Sequence, residues 1–242
     1  MASRVTEIAE NVFQISTFVE RANFRFNQFL VLDDQPLLYH TGPNSLFPEV
    51  RQAVASLLDP SHIRWISFSH FEADECGALA AWQTLAPEAT ALCGLTSKVV
   101  SVDDAAALRP AQALADDETF STGKYRFRFL RTPHVPHAWD AGHLFEETQG
   151  ILFCSDLFHQ DGDLEPLTNA DVVGQSRQTL LAYQQGPMSG YFPYTNHTQE
   201  TMMRLAGLRP ALLAVMHGSA FVGDGAQAIN DLAVVMKEVL AP

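Results

Sequence analysis

The chain is expected to adopt an α/β (α+β) fold in which two mixed β-sheets pack face to face, with helices outside. Three observations carry this. Two runs of strand-like segments, each interleaved with helical ones, follow one another along the 242 residues. The segment Lys124 to Leu130 alternates Tyr125, Phe127 and Phe129 with Arg126, Arg128 and the following Arg131, so one face is buried and one is wet. No internal repeat or low-complexity linker divides the chain, which at this length has one sizeable core, so residues 1–242 are expected to form a single domain.

The first run opens with strands at Val12 to Phe18, Phe26 to Leu32 and, after the Asp33-Asp34 turn, Pro36 to His40. Leu46 to Leu58 carries apolar residues at helical spacing, Ile63 to Phe68 returns to strand, and Ala78 to Leu85 is again helical. Ala89 to Cys93 reads as a short strand and Thr96 to Leu108 as a helix ending before Pro110. The second run begins after the acidic turn Asp116-Asp117-Glu118 with Lys124 to Leu130, followed by strands at Leu144 to Glu146 and Ile151 to Cys154 around the Gln149-Gly150 turn. The polar stretch Asp161 to Gly174 is long enough to be a lid or pocket wall. Ser176 to Gln185 and Thr198 to Leu208 are expected helices, separated by Gly186-Pro187 and the aromatic cluster Tyr191, Phe192 and Tyr194. A buried strand, Ala211 to Val215, and an amphipathic helix, Ala226 to Leu240, close the chain.

Composition narrows the partners. Fifteen basic residues against 28 acidic ones give a net charge of -13 with no basic cluster, which disfavours nucleic acid and anionic membrane surfaces. Residues 1–10 lack an apolar signal core, and no apolar run approaches the roughly 20 residues of a membrane span, so a cytoplasmic protein is expected. Cys76, Cys93 and Cys154 form no C-x-x-C pair, which argues for reduced thiols and against a structural zinc knuckle.

The chemistry concentrates in Ser67-Phe68-Ser69-His70-Phe71-Glu72-Ala73-Asp74-Glu75-Cys76-Gly77, where one imidazole and three carboxylates follow a strand and precede a helix. An Asp N-cap with a Glu in the first helical turn would give the same local composition. His134 and His137, Asp156, and His217 each lie just beyond a different expected strand, and strand ends on one sheet edge can gather distant ligands on a rigid frame. Mixed imidazole and carboxylate ligation suits iron or manganese, whereas an imidazole-rich set suits zinc. There is no G-x-S-x-G, Walker or G-x-G-x-x-G motif.

His70-Phe71-Glu72-Ala73-Asp74-Glu75, together with the intervals to His137, Asp156 and His217, resembles the diiron branch of the metallo-β-lactamase-fold superfamily, which includes flavodiiron proteins and oxygen-binding diiron proteins. The hydrolase branch carries H-x-H-x-D-H and the diiron branch H-x-E-x-D-H, so Glu72 discriminates. The resemblance spans nearly the whole chain and implies an αββα sandwich. It also implies that His70, Glu72 and His137 hold one iron, that Asp74 and His217 hold the other, and that Asp156 bridges them. Asp140, three residues after His137, would orient an imidazole. Glu75 stands where the family usually has histidine: it coordinates as a fourth carboxylate, or turns away and leaves the position open or to His159, or the site holds one metal. His134 is a reserve ligand.

The resemblance implies two iron ions, with manganese or zinc as alternatives, dioxygen or nitric oxide as the ligand, and a homodimer. Because the chain stops at Pro242, no flavodoxin-like domain and no FMN are expected, and electrons would come from a separate donor. Three readings follow: a diiron protein that binds and reduces dioxygen or nitric oxide, an oxygen sensor acting on a signalling partner, and a metal-dependent hydrolase of an ester, thioester or phosphoester. Phe24, Phe26, Phe71, Trp139, Phe158 and Tyr194 are candidate walls of an apolar pocket.

Overall fold

A computed structural model describes residues 2–242. The first sheet orders its strands β1 (Arg4–Ala9), β2 (Val12–Val19), β3 (Phe24–Val31), β4 (Leu37–Tyr39), β5 (Trp65–Ser67), β6 (Thr90–Gly94) and β7 (Gln112–Leu114) in sequence order. β1 to β4 pair antiparallel as a meander, and β4 to β7 pair parallel across helical crossovers. The second sheet contains β8 (Thr119–Ser121), β9 (Arg126–Arg131), β10 (Gly142–Glu146), β11 (Ile151–Ser155), β12 (Leu167–Thr168), β13 (Leu212–Val215) and β14 (Ala220–Val222), in the order β12-β14-β13-β11-β10-β9-β8. Both sheets are mixed, as expected.

Side-chain alternation sorts the apolar residues into three layers. Phe29, Val31, Leu37 and Tyr39 from the first sheet meet Phe127, Phe129, Leu144, Phe153 and Ala214 from the second in the central layer. On the outer face of the first sheet, Ile15, Leu30, Leu38 and Ile66 pack against Val50 and Val54 of helix α1 (Phe47–Ala55) and Leu79 and Trp82 further along. On the outer face of the second, Leu152, Cys154, Leu213 and Val215 are covered by Leu180, Met202, Leu205, Ile229 and Leu232. The sandwich is therefore αββα. A fully buried Leu or Ile contributes roughly 1.5–3 kcal/mol through apolar burial, so each layer is a substantial source of stability.

Helix boundaries differ from expectation in instructive places. The motif begins a one-turn helix, α2 (Ala73–Cys76), followed by α3 (Leu79–Leu85). The segment expected as a helix from Thr96 to Leu108 has one α-helical turn, α4 (Leu95–Ser97), which widens into a π-helix over Lys98–Ala106. Its exit is set by the Ala107 N–H bonding to the Val102 carbonyl, five residues back. The polar stretch Asp161 to Gly174 is no lid. Arg25 pairs with Asp163, Arg4 pairs with Glu165 at 3.2 Å, the Ser219 hydroxyl donates to the Glu165 carbonyl at 2.6 Å, and β12 joins the sheet. Helices α5 (Val172–Gln185), α6 (Thr198–Gly207) and α7 (Gly225–Leu240) complete the outer layer.

Candidate metal centre

β9, β11 and β13 run in the same direction, because β10 is antiparallel to β9 and β11 while β11 and β13 are parallel. Their C-terminal ends, and that of β5, deliver His137, Asp156, His217 and His70 to one edge of the sandwich. The motif loop bends because Glu72 is extended, at φ -141° and ψ 164°, immediately before α2 turns. That bend places Glu75 beside His70 and Asp74 beside His217 rather than on alternate sides of a strand. After His217 the chain turns through Gly218 at φ +123°, where an added Cβ would approach the Gln160 side chain within 2.7 Å, so this turn requires glycine.

All seven residues expected as ligands converge. His137 Nε2 lies 3.0 Å from Asp156 Oδ2 and 3.3 Å from Glu72 Oε2. His70 Nε2 lies 3.3 Å from Glu72 Oε2, 3.6 Å from Asp156 Oδ2 and 3.7 Å from Glu75 Oε2. On the other side, His217 Nε2 lies 3.2 Å from Asp156 Oδ1 and 3.2 Å from Asp74 Oδ2. Asp156 thus turns one oxygen to each cluster. The ligand-type atoms of His70, His137 and Asp156 fall within 4.8 Å of one another, as do those of His70, Glu72 and Glu75.

The charges in this buried cluster are mutually dependent. Burial would raise the Asp156 pKa, but hydrogen bonds from His137 and His217 override it and hold the carboxyl well below its usual range. Burial would depress His217, yet Asp156 and Asp74 push it up to about 10. Glu75 behaves oppositely: burial, reinforced by Asp74 and Asp156, raises its pKa well above the ordinary value. It is wholly buried and neither oxygen meets a hydrogen-bond donor. An orphaned buried carboxylate among other carboxylates fits a cation, which would relieve both the repulsion and the unmet acceptors. Glu75→Gln is accordingly expected to raise the melting temperature of the metal-free protein, measured by calorimetry, because the carboxamide has no charged form for burial to oppose and supplies a donor toward Asp74 and Asp156.

A second tier of contacts fixes the imidazoles. His217 Nδ1 bonds the Arg25 carbonyl at 2.8 Å, which turns Nε2 toward the cluster. His70 Nδ1 lies 2.9 Å from the Ser69 hydroxyl, which also meets Ser155 at 2.7 Å and buried His40 at 3.2 Å. Ser69→Ala is expected to weaken metal binding by about 10-fold, with Ser69→Thr close to wild type, in competition titrations against a chelator. Tyr191, which sequence reasoning placed only in an aromatic cluster, donates its hydroxyl to both Glu72 oxygens at 3.1 and 2.9 Å, with its ring 4.2 Å from that of His137. Only the tertiary structure brings it there.

Three expectations need correction. Asp140 does not hold an imidazole: its Oδ2 accepts from the Phe71 N–H at 3.1 Å and the Ser97 hydroxyl at 2.6 Å, so it braces the motif backbone against the α4 turn. His134 heads its turn at φ 64° and is not among the converging side chains. His159 is buried beside the cluster, its ring 4.6 Å from that of His217, and its Nε2 faces Asp161 Oδ1 at 3.4 Å rather than the carboxylates of the cluster.

A cavity of about 820 Å³ opens onto this floor. Phe24 and Phe26 line it, as expected, together with Tyr183 and Tyr191. Phe71 and Trp139 are exposed instead, while Phe158 and Tyr194 belong to the outer layer of the second sheet. Edge-on contacts of Phe24 and Phe26 with the His217 ring, at 4.7 and 5.2 Å, place an apolar wall directly against the candidate ligands.

A family model described as ODP family beta lactamase matches residues 24–218. The rubredoxin-oxygen oxidoreductase of Megalodesulfovibrio gigas is 27% identical over 205 residues, which is 82% of this chain and 49% of that protein, so the chain spans about half the length of this curated relative. Among solved structures, a mutant of a flavo di-iron protein from Thermotoga maritima superposes with a TM-score of 0.80 at 20% identity over 97% of this chain and 62% of its own. A fragment of a diflavin flavoprotein from Nostoc gives a TM-score of 0.76 at 18% identity, covering 98% of this chain and 97% of the fragment. At these identities the structural matches establish the shared fold.

Proposed function

This chain belongs to the ODP family of beta lactamases, and from that premise we propose that it is a non-haem diiron protein that binds dioxygen or nitric oxide and reduces it. The observation that carries the reading is Asp156: its Oδ2 faces His137 and His70 while its Oδ1 faces His217, the disposition of a carboxylate shared by two cations. On this reading His70, Glu72 and His137 hold one iron, Asp74 and His217 hold the other, Asp156 is common to both, and Glu75 adds a fourth carboxylate. Such a pair, when bound and reduced, supplies electrons to a diatomic ligand.

The protein's own groups do the rest. The Tyr191 hydroxyl keeps Glu72 in one rotamer, and the Arg25 carbonyl and Ser69 hydroxyl present Nε2 of His217 and His70. Phe24 and Phe26 pack edge-on against the His217 ring and hold it against the cluster. The proposal includes a separate electron donor or signalling partner, a pair of chains and a cytoplasmic setting. No helix of the described residues is long and apolar enough to cross a membrane.

The test is the optical spectrum of anaerobically iron-loaded, reduced protein before and after a pulse of oxygen, with metal determined on the same sample. Two irons per chain and a new visible band are expected. Zinc held in preference to iron, with no band, would instead support the hydrolase.

A further inference from the structure

The chamber above the floor is far larger than a diatomic ligand requires. Its volume of about 820 Å³ would hold on the order of 25 water molecules at ~30 Å³ each, and it lies within the roughly 300–1,000 Å³ span of pockets that take small organic molecules. Val19, Phe24, Phe26, Leu46 and Met188 give it apolar walls, and the base is formed by Glu72, Asp74, Asp156 and His217. An organic body would fill the upper part while a reacting group sits on the floor.

Charge narrows the class further. Glu20 and Glu49 also line the chamber, and Arg21 is the one Lys or Arg among the lining residues. Carboxylates therefore dominate both rim and base, in a protein of net charge -13. An anionic ligand such as a phosphoester, a coenzyme A thioester or a fatty-acid carboxylate meets repulsion on the way in, whereas a neutral one does not. The ligand implied is neutral, largely apolar, and carries a bond that two electrons can break.

We propose that the chamber binds a neutral organic hydroperoxide, its alkyl or aryl body against Phe24, Phe26, Leu46 and Met188 and its O–O group on the Glu72, Asp74 and Asp156 floor. This rests on the metal-pair reading above and names a substrate for the same site. The reaction is ROOH + 2 e⁻ + 2 H⁺ → ROH + H₂O. The O–O bond would break with the two electrons that a reduced iron pair held by the seven residues above would supply, one from each ion, and solvent would supply the two protons that complete the alcohol and the water.

The test uses cumene hydroperoxide, hydrogen peroxide and 2-phenyl-2-propanol, the alcohol product of the first. Anaerobically reduced, iron-loaded protein is mixed with each peroxide in a stopped-flow instrument, and oxidation of the metal is followed optically. Cumene hydroperoxide is expected to react at least 10-fold faster than hydrogen peroxide and to yield one alcohol per two irons oxidised. Independently, ligand-observed NMR on the protein without iron is expected to show 2-phenyl-2-propanol binding. Ala22→Trp and Met188→Trp, which fill the chamber from its wall, should abolish both the binding and the rate preference with iron content unchanged.

Equal rates for the two peroxides, no binding of the alcohol, or a preference that survives both substitutions would overturn the proposal. Failure to load two irons would overturn the metal reading and this proposal with it. A normal oxygen response with no hydroperoxide preference would overturn this proposal alone.

Discussion

Asp156→Asn is expected to abolish the two-metal site, with metal content falling from about two to fewer than about one per chain in elemental analysis after gel filtration. Asparagine preserves shape but presents one acceptor oxygen in place of two anionic ones. In the structure those two oxygens are divided, Oδ2 at 3.0 Å from His137 and Oδ1 at 3.2 Å from His217, so no rotation of a carboxamide restores both contacts. The same change acts on the metal-free protein. Three imidazoles face this one carboxylate in a buried cluster, and removing one partner of a buried charged network typically costs about 3–5 kcal/mol. A metal-free melting temperature unchanged from wild type would show that Asp156 is not the hub of the cluster.

The pH dependence gives a second readout of the same substitution. His217 is raised from 6.5 to about 10 by Asp156 and Asp74 against the opposing effect of burial. Its contribution to stability is therefore fully present below about pH 6.5 and is lost as the pH rises toward 10. Asp156 is lowered, so its contribution is present above about pH 4 and is lost as the pH falls. The metal-free wild type is expected to be most stable between these limits. In Asp156→Asn the alkaline decline becomes shallower, because the anion responsible for much of the His217 shift is gone. Urea titrations from pH 5 to 10 measure this directly.

How far the sequence discloses this arrangement depends on what each residue answers to. Interior strands other than the short β14 were legible because their apolar residues face a packed layer, as with Tyr125, Phe127 and Phe129 of β9 and its neighbour turn. The four edge strands β1, β7, β8 and β12 were not, because an edge strand pairs on one side only and carries weak patterning: Gln112-Ala113-Leu114 and Thr119-Phe120-Ser121 become strands through their partners. The π-helical turn from Lys98 has the same periodic look as an α-helix until its exit bond is known. Among site residues, the loop motif and strand-end histidines announced themselves by chemistry, whereas Ser69, Arg25 and Tyr191 act through one hydroxyl or one carbonyl whose direction only the fold determines. Asp140 shows the converse. Its spacing from His137 suggested an imidazole partner, but the loop turns it to Phe71 and Ser97.

Glu75→His is expected to raise the reduction potential of the iron-loaded protein on the order of 100 mV. Glu72, Asp74, Glu75 and Asp156 together match the +4 charge of a diferrous pair, whereas three carboxylates leave it at +1. The fourth carboxylate stabilises the diferric state more than the diferrous one, because it sits among the ligands with no donor to neutralise it. A unit charge ~4 Å from a metal is worth about 4 kcal/mol at an effective dielectric constant of about 20, and about 1.4 kcal/mol corresponds to ~59 mV for one electron. Histidine replaces that anion by a neutral imidazole and leaves the remaining six residues in place. Redox titration of the two proteins, each verified to hold two irons, decides the matter: a wild-type potential above that of Glu75→His would mean that Glu75 lies outside the coordination sphere. The raised pKa of the metal-free Glu75 carboxyl adds an independent signature. A cation takes the carboxylate form, so calorimetric titration in buffers of different ionisation enthalpy should show more proton release by wild type than by Glu75→Gln, the difference growing as the pH falls.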